Sequence, residues 1–195
     1  MLIESPCDSV GMQRRRETQS QTEVAALHRQ EPPAEYPRRC NMNVAVVYHS
    51  KWGNCERIAR SIARALSDAG HEVKILSVDS AAELDAPPDL LVLGSPTRAG
   101  RASGPVKKFI KRNMTERWKG RLFAAFGTGM RDRGDKAQPK GADDIYGRLE
   151  SAGLKPIAPA FKAWVSTWKG PLADGEPERA FKFGKELAAA LESER

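Results

Sequence analysis

No apolar run in these 195 residues reaches the roughly 20 residues that crossing a bilayer requires, and the N-terminus lacks a secretory signal's basic-then-apolar layout. A soluble, cytoplasmic protein without a membrane span is expected. Cysteine is scarce: Cys7, Cys40 and Cys55 are odd in number, widely spaced and form no C-x-x-C pair, which excludes a disulfide scaffold and a zinc ribbon. His28, His49 and His71 form no ligand cluster, so no metal is expected. Acidic charge is in deficit as well, the formal net charge being +7.

That excess is unevenly placed. Residues 1–41 balance six basic against six acidic side chains, whereas residues 98–140 hold thirteen Lys or Arg against Glu116, Asp132 and Asp135. A patch of this kind attracts anionic partners, although Lys107, Lys108 and Lys111 also suit a solvated helix face. Residues 1–41, with Pro32, Pro33, Pro37, the run Arg14 to Arg16 and no hydrophobic period, read as a disordered extension. Met42 stands directly before the first apolar run, and the reading places the natural start there. Peptides upstream of Met42 in N-terminal mass spectrometry would count against that.

From residue 42 onward, short apolar runs alternate with helical periods, which predicts one α/β domain over residues 42–195: a doubly wound, five-stranded parallel sheet with helices on both faces. Strands are expected over 43–48, 72–78, 90–94, 122–127 and 155–161. Helices are expected over 54–69, from Ser103 onward with Pro105 in the first turn, over 143–152 and over 178–191, with a short, weak one near 81–84. Ligands of such sheets lie beyond the carboxyl ends of the strands. Three loops meet there, at 50–55, 95–101 and 128–135, each rich in Gly, Ser, Thr or Arg.

Several better-known signatures fail. Gly127 and Gly129 lack the third glycine of G-x-G-x-x-G, and Asp135 stands where a P-loop needs lysine. Cys55 and Arg60 are separated by four residues, one too few for a cysteine-phosphatase loop. Strand ends without a phosphoacceptor aspartate exclude a response-regulator receiver.

Ser50-Lys-Trp-Gly-Asn-Cys55 instead resembles the T/S-x-T-G-N-T phosphate loop of the flavodoxin family, and Leu93-Gly-Ser-Pro-Thr-Arg-Ala-Gly100 its flavin-edge loop, followed by Phe126-Gly-Thr-Gly129. The resemblance covers nearly all of residues 42–195. It implies sheet order 2-1-3-4-5 and noncovalent FMN. Ser50, Lys51, Trp52, Gly53, Asn54 and Cys55 would hold the phosphate, with Ser50 and Asn54 as donors. Pro96, Thr97, Arg98, Ala99 and Gly100 would flank the ring on one side, and Gly127, Thr128 and Gly129 on the other. No side chain is a conventional catalytic acid or base; the flavin carries the chemistry.

The departures carry information. Cys55 replaces the usual Thr, which costs a donor; it is read as a small filler, with a thiolate activated by the helix N-terminus as the weaker alternative. Trp52 reads as a lid or packing residue. Arg98 replaces the aromatic of classical flavodoxins, and the third loop has no tyrosine, so one ring face is expected to stay open. Pro96-Thr97-Arg98 with Gly100 resembles the tryptophan-repressor-binding-protein type of NAD(P)H:quinone oxidoreductase, without that family's inserted segment. Arg98, Arg101, Arg131 and Arg133 would stabilise an anionic reduced flavin and give a milder couple than classical flavodoxins.

The expected function is electron transfer or NAD(P)H-dependent reduction of quinone-like acceptors. The alternatives are a pure electron carrier docking an acidic redox partner, or a basic binding protein that has lost flavin. Phe161, Trp164 and Trp168 are expected to cap the sheet edge or contact a second copy, as packing residues.

Overall fold

The computed structural model describes residues 41–195, apart from 82, 83, 85, 131–139, 168 and 195. The expected N-terminal extension lies, but for Asn41, outside the described residues.

Runs of residues apolar at every position form the inner strands, as burial on both faces requires. In β1 (Asn43–Tyr48), Val44 to Val47 are buried, and in β3 (Leu90–Arg98), Leu90 to Leu93 are fully enclosed. With β2 (Glu72–Ser77), β5 (Leu122–Met130) and β6 (Lys155–Pro156) they form a sheet of order β2-β1-β3-β5-β6, and every one of these pairs is parallel. The doubly wound arrangement is as expected.

Two further strands bring the sheet to seven, against the five expected. The last expected strand is broken in two: β6 pairs with the start of β5, and β7 (Phe161–Val165) with its end. Pro156 and Pro159 supply no ladder donors, and the chain bows out between them before pairing resumes. The other addition is the two-residue β4 (Arg101–Ala102), which folds back antiparallel on β3. With these partners available, β3 runs on to Arg98 and β5 to Met130, beyond the ends expected at 94 and 127.

Helix α1 (Asn54–Asp68) carries an apolar stripe at four-residue spacing, and Ile58, Ile62 and Leu66 are each 0% exposed. Burying each contributes about 1.5–3 kcal/mol. It shares one sheet face with α4 (Glu176–Ser193), and a Cβ on Gly184 would come within 2.7 Å of the Ile62 carbonyl, so only glycine permits that approach. The opposite face is covered by α2 (Gly104–Asn113) and α3 (Lys140–Ser151), which bury Val106, Phe109, Ile145 and Leu149. The weak helix near 81–84 reduces, in its described residues, to a turn closed by Leu84 N–H on the Ala81 carbonyl at 3.3 Å.

Candidate functional site

The tips of β1, β3 and β5 lie side by side, with Tyr48 opposite Gly94 and Pro96 opposite Thr128. The His49 N–H continues the first pairing onto the Gly94 carbonyl at 3.1 Å. The chain then turns through Ser50 to Gly53 into α1. Gly53 is left-handed (φ 78, ψ −12), a conformation costing an L-residue about 1–2 kcal/mol. No side chain caps the helix, and the N–H groups of Asn54, Cys55 and Glu56 meet no acceptor among the described residues. Uncapped donors at the positive end of a helix dipole make an anion seat. Glu56, the acid of this first turn, is drawn along the helix by Arg60 at 2.7 Å.

A segment that the sequence did not point to braces this loop. Asn54 Nδ2 donates to the Lys169 carbonyl at 3.0 Å, and a Cβ on Gly170 would lie 2.6 Å from the Asn54 amide. The expected role of Asn54 as a phosphate donor is therefore narrowed, since one of its two N–H groups is already committed. Trp52, 42% exposed, has the ammonium groups of Lys51 and Lys169 at 5.2 and 5.4 Å from its ring centroid. It stands exposed beside the turn.

Cys55 turns inward. It is 1% exposed, its Sγ lies 3.1 Å from Thr128 Oγ1, and burial pushes its thiol up to about 12, outweighing the lowering by the Thr128 hydrogen bonds. The thiol stays neutral at physiological pH, which overturns the reactive-thiolate alternative and leaves a buried filler. The Thr128 hydroxyl, in a residue 4% exposed, is the partner of this thiol. Gly127, Thr128 and Gly129 belong to strand β5 and not to a loop. Gly127 is packed so closely on α3 that a Cβ would meet the Ala142 nitrogen at 2.8 Å. Arg131 and Arg133 lie outside the described residues.

The second expected loop is a hairpin. Thr97 pairs with Ala102 and Arg98 with Arg101, leaving Ala99 (φ 46) and Gly100 (φ 74) as a two-residue turn with positive φ at both positions. Helix α3 clamps it: the Gly141 N–H donates to Thr97 Oγ1 at 3.1 Å, and the Ala102 N–H to Asp144 Oδ2 at 3.0 Å. Beneath it, buried Ser95 Oγ accepts the Ser103 N–H at 2.8 Å. Arg98 and Arg101 are exposed at the tip, and no aromatic side chain occurs in the hairpin.

His49 is the site residue that sequence reasoning missed, having weighed histidines only as metal ligands. Its Nδ1 is buried without a partner, and desolvation lowers its pKa, with Asp79 opposing and Arg98 reinforcing. Phe161 stacks on Phe183 at 5.0 Å as a packing residue, Trp164 lies on β7, and Trp168 falls outside the described residues.

The profile of the Flavodoxin domain matches residues 45–156, from β1 into β6. The chain belongs to the flavodoxin family. A flavodoxin of Clostridium saccharobutylicum is 30% identical over 139 residues, covering 70% of this chain and 79% of its own. Among solved structures, a flavodoxin from the domain Archaea matches with a TM-score of 0.61 at 19% identity, over 77% of this chain and 99% of that one. A WrbA-like flavodoxin from Agrobacterium tumefaciens matches with a TM-score of 0.59 at 24% identity, over 80% and 100%. Flavodoxin-family proteins bind FMN and transfer electrons. The residues here fit the phosphate end of that cofactor: uncapped N–H groups, a left-handed glycine and the part-exposed Ser50 hydroxyl converge at one strand tip. No described helix is long and apolar enough to cross a membrane.

Proposed function

We propose that this chain binds FMN between the Ser50–Cys55 turn and the hairpin centred on Ala99 and Gly100, and that it reduces quinone-like acceptors with electrons from NAD(P)H. The observation that carries this is the open, uncapped N-terminus of α1 set beside a clamped, aromatic-free hairpin at the switch point of the sheet. Gly53 and the N–H groups of residues 54–56 would hold the phosphate, with Ser50 donating its hydroxyl. Asn54 fixes the turn from outside through Lys169. Pro96, Thr97 and Arg98 would lie along the ring, and backbone groups of Gly127 and Gly129 beneath it. Bound FMN would supply the reversible electron and hydride transfer. The chain's own work is to seat the anion, exclude water on one side and place the positive charge of Arg98 near the ring.

A second reading is favoured by the charge on α2, which carries four cations and no acid: an electron carrier serving an acidic protein. Visible spectra before and after FMN addition, followed by NADPH oxidation with a quinone acceptor, separate the readings. Flavin bands with rapid turnover by the protein alone support the enzyme. Flavin bands without turnover leave the carrier, and no uptake of FMN overturns both.

A further inference from the structure

We infer that the β3–β4 hairpin and helix α2 together form a docking surface for an acidic redox protein. The inference rests on the flavin reading only for the purpose of the contact, since the surface itself is defined by charge. Between residues 98 and 112 stand Arg98, Arg101, Lys107, Lys108, Lys111 and Arg112, with no Asp or Glu. None of the six forms an ion pair among the described residues, although ion pairs occur on α1, α3 and α4. Of the carboxylates on this side, Asp143 pairs with Lys162 at 2.9 Å and Asp144 with Arg148 and the Ala102 N–H, each at 3.0 Å, while Asp79 lines a second hollow beside Lys108 and Arg112 and forms no ion pair among the described residues.

Four of these cations are placed against the interest of stability, whereas Lys111 and Arg112 complement the dipole in the last turn of α2. Arg98 lies directly opposite Arg101 in the antiparallel pair, where like charges repel. Lys107 and Lys108 sit in the N-terminal half of α2, which has no acid in its first turn to complement the helix dipole. Charge that opposes folding is explained by an external anion that relieves it.

The surface also has shape. An open groove of about 940 Å³ runs between α2 and α3, with Lys107, Lys108, Lys111, Asp143, Asp144 and Arg148 around Gly147 and Ala152, and Ile110 only 7% exposed at its floor. A hollow with a predominantly charged rim suits an electrostatically guided protein contact. Nucleic acid fits less well, because the only aromatic of residues 98–112, Phe109, is 5% exposed and offers no face for base stacking. The hairpin leads into Gly104, at one end of the groove, and so links the groove to the end of β3.

The test uses a fluorescently labelled plant-type ferredoxin, an acidic iron–sulfur protein, as the probe, and labelled cytochrome c, a basic protein, as its opposite. Anisotropy titrations read affinity without reference to flavin. Ferredoxin affinity is expected to fall at least about tenfold between roughly 20 and 200 mM salt. The triple variant Lys108→Glu, Lys111→Glu, Arg112→Glu, all exposed and outside the cofactor residues, is expected to lose ferredoxin binding by a similar factor and to gain affinity for cytochrome c. Its FMN content and circular dichroism should match those of the parent. Should reversal of three charges disturb folding, the neutral pair Lys108→Gln, Lys111→Gln gives a smaller loss in the same direction. Unchanged ferredoxin affinity in the variants, or tighter binding of a labelled DNA duplex than of ferredoxin, would overturn the docking surface. A colourless protein that still binds ferredoxin in this way would overturn the flavin reading and leave the surface standing.

Discussion

Helices α1 and α2 both leave the carboxyl edge of the sheet, one onto each face, and they are built to opposite rules. Helix α1 pairs most of its charge internally, Arg60 with Glu56 and Arg64 with Asp68, leaving Arg57 outside any ion pair among the described residues, and its inner stripe is sealed against β1, β3 and α4. Helix α2 is shorter and leaves every cation without an ion-pair partner among the described residues. Helix α1 thus holds the domain together and leaves its first N–H groups open to an anion, whereas α2 presents its side chains.

The contrast breaks most visibly if the core role is removed from α1. Ile62→Ala, at 0% exposure beneath the approach of Gly184, is expected to cost about 3 kcal/mol and to lower the melting temperature by about 10 °C. A next, smaller effect is conformational. Gly53→Ala meets nothing within 4 Å, so its cost of about 1–2 kcal/mol comes from the left-handed backbone alone, and it should weaken FMN binding at least about tenfold. Cys55→Ala is expected to cost about 1–2 kcal/mol by orphaning the buried Thr128 hydroxyl. Iodoacetamide should leave Cys55 of the native protein largely unmodified, as burial and a neutral thiol require.

For α2 the expected sign is reversed. Lys107→Glu should leave stability unchanged or raise it by about 0.3 kcal/mol in denaturant titration, because an acid complements the dipole at this end of a helix. The smallest effect concerns pH. His49 has its folded pKa lowered, so the unfolded chain binds more protons as pH falls through the usual histidine range, and stability declines there. Urea midpoints at about pH 7.5 and 5.5 should therefore diverge more for the parent than for His49→Gln.

Much of this was legible in the sequence because it rests on local rules. The unbroken apolar runs of β1 and β3, the four-residue spacing of Ile58, Ile62 and Leu66, and Gly53 before a helix each point to one structure. What escaped was decided by partners far along the chain. The Lys169 carbonyl on Asn54 spans 115 residues, and nothing local to Gly170 announces it. The hairpin was hidden because Ala99, which rarely takes positive φ, occupies a turn position that asparagine or glycine would have flagged. The fate of Cys55 turned on burial against Thr128, a contact between two strand-tip segments that spacing alone does not order.

The anion seat at the N-terminus of α1 is tested by titrating FMN fluorescence with the parent protein and with Gly53→Ala. Quenching to one flavin per chain by the parent, with affinity reduced at least about tenfold in the variant, is the expected result. Equal affinity in both proteins, or no quenching by the parent, would contradict a phosphate seat at the N-terminus of α1.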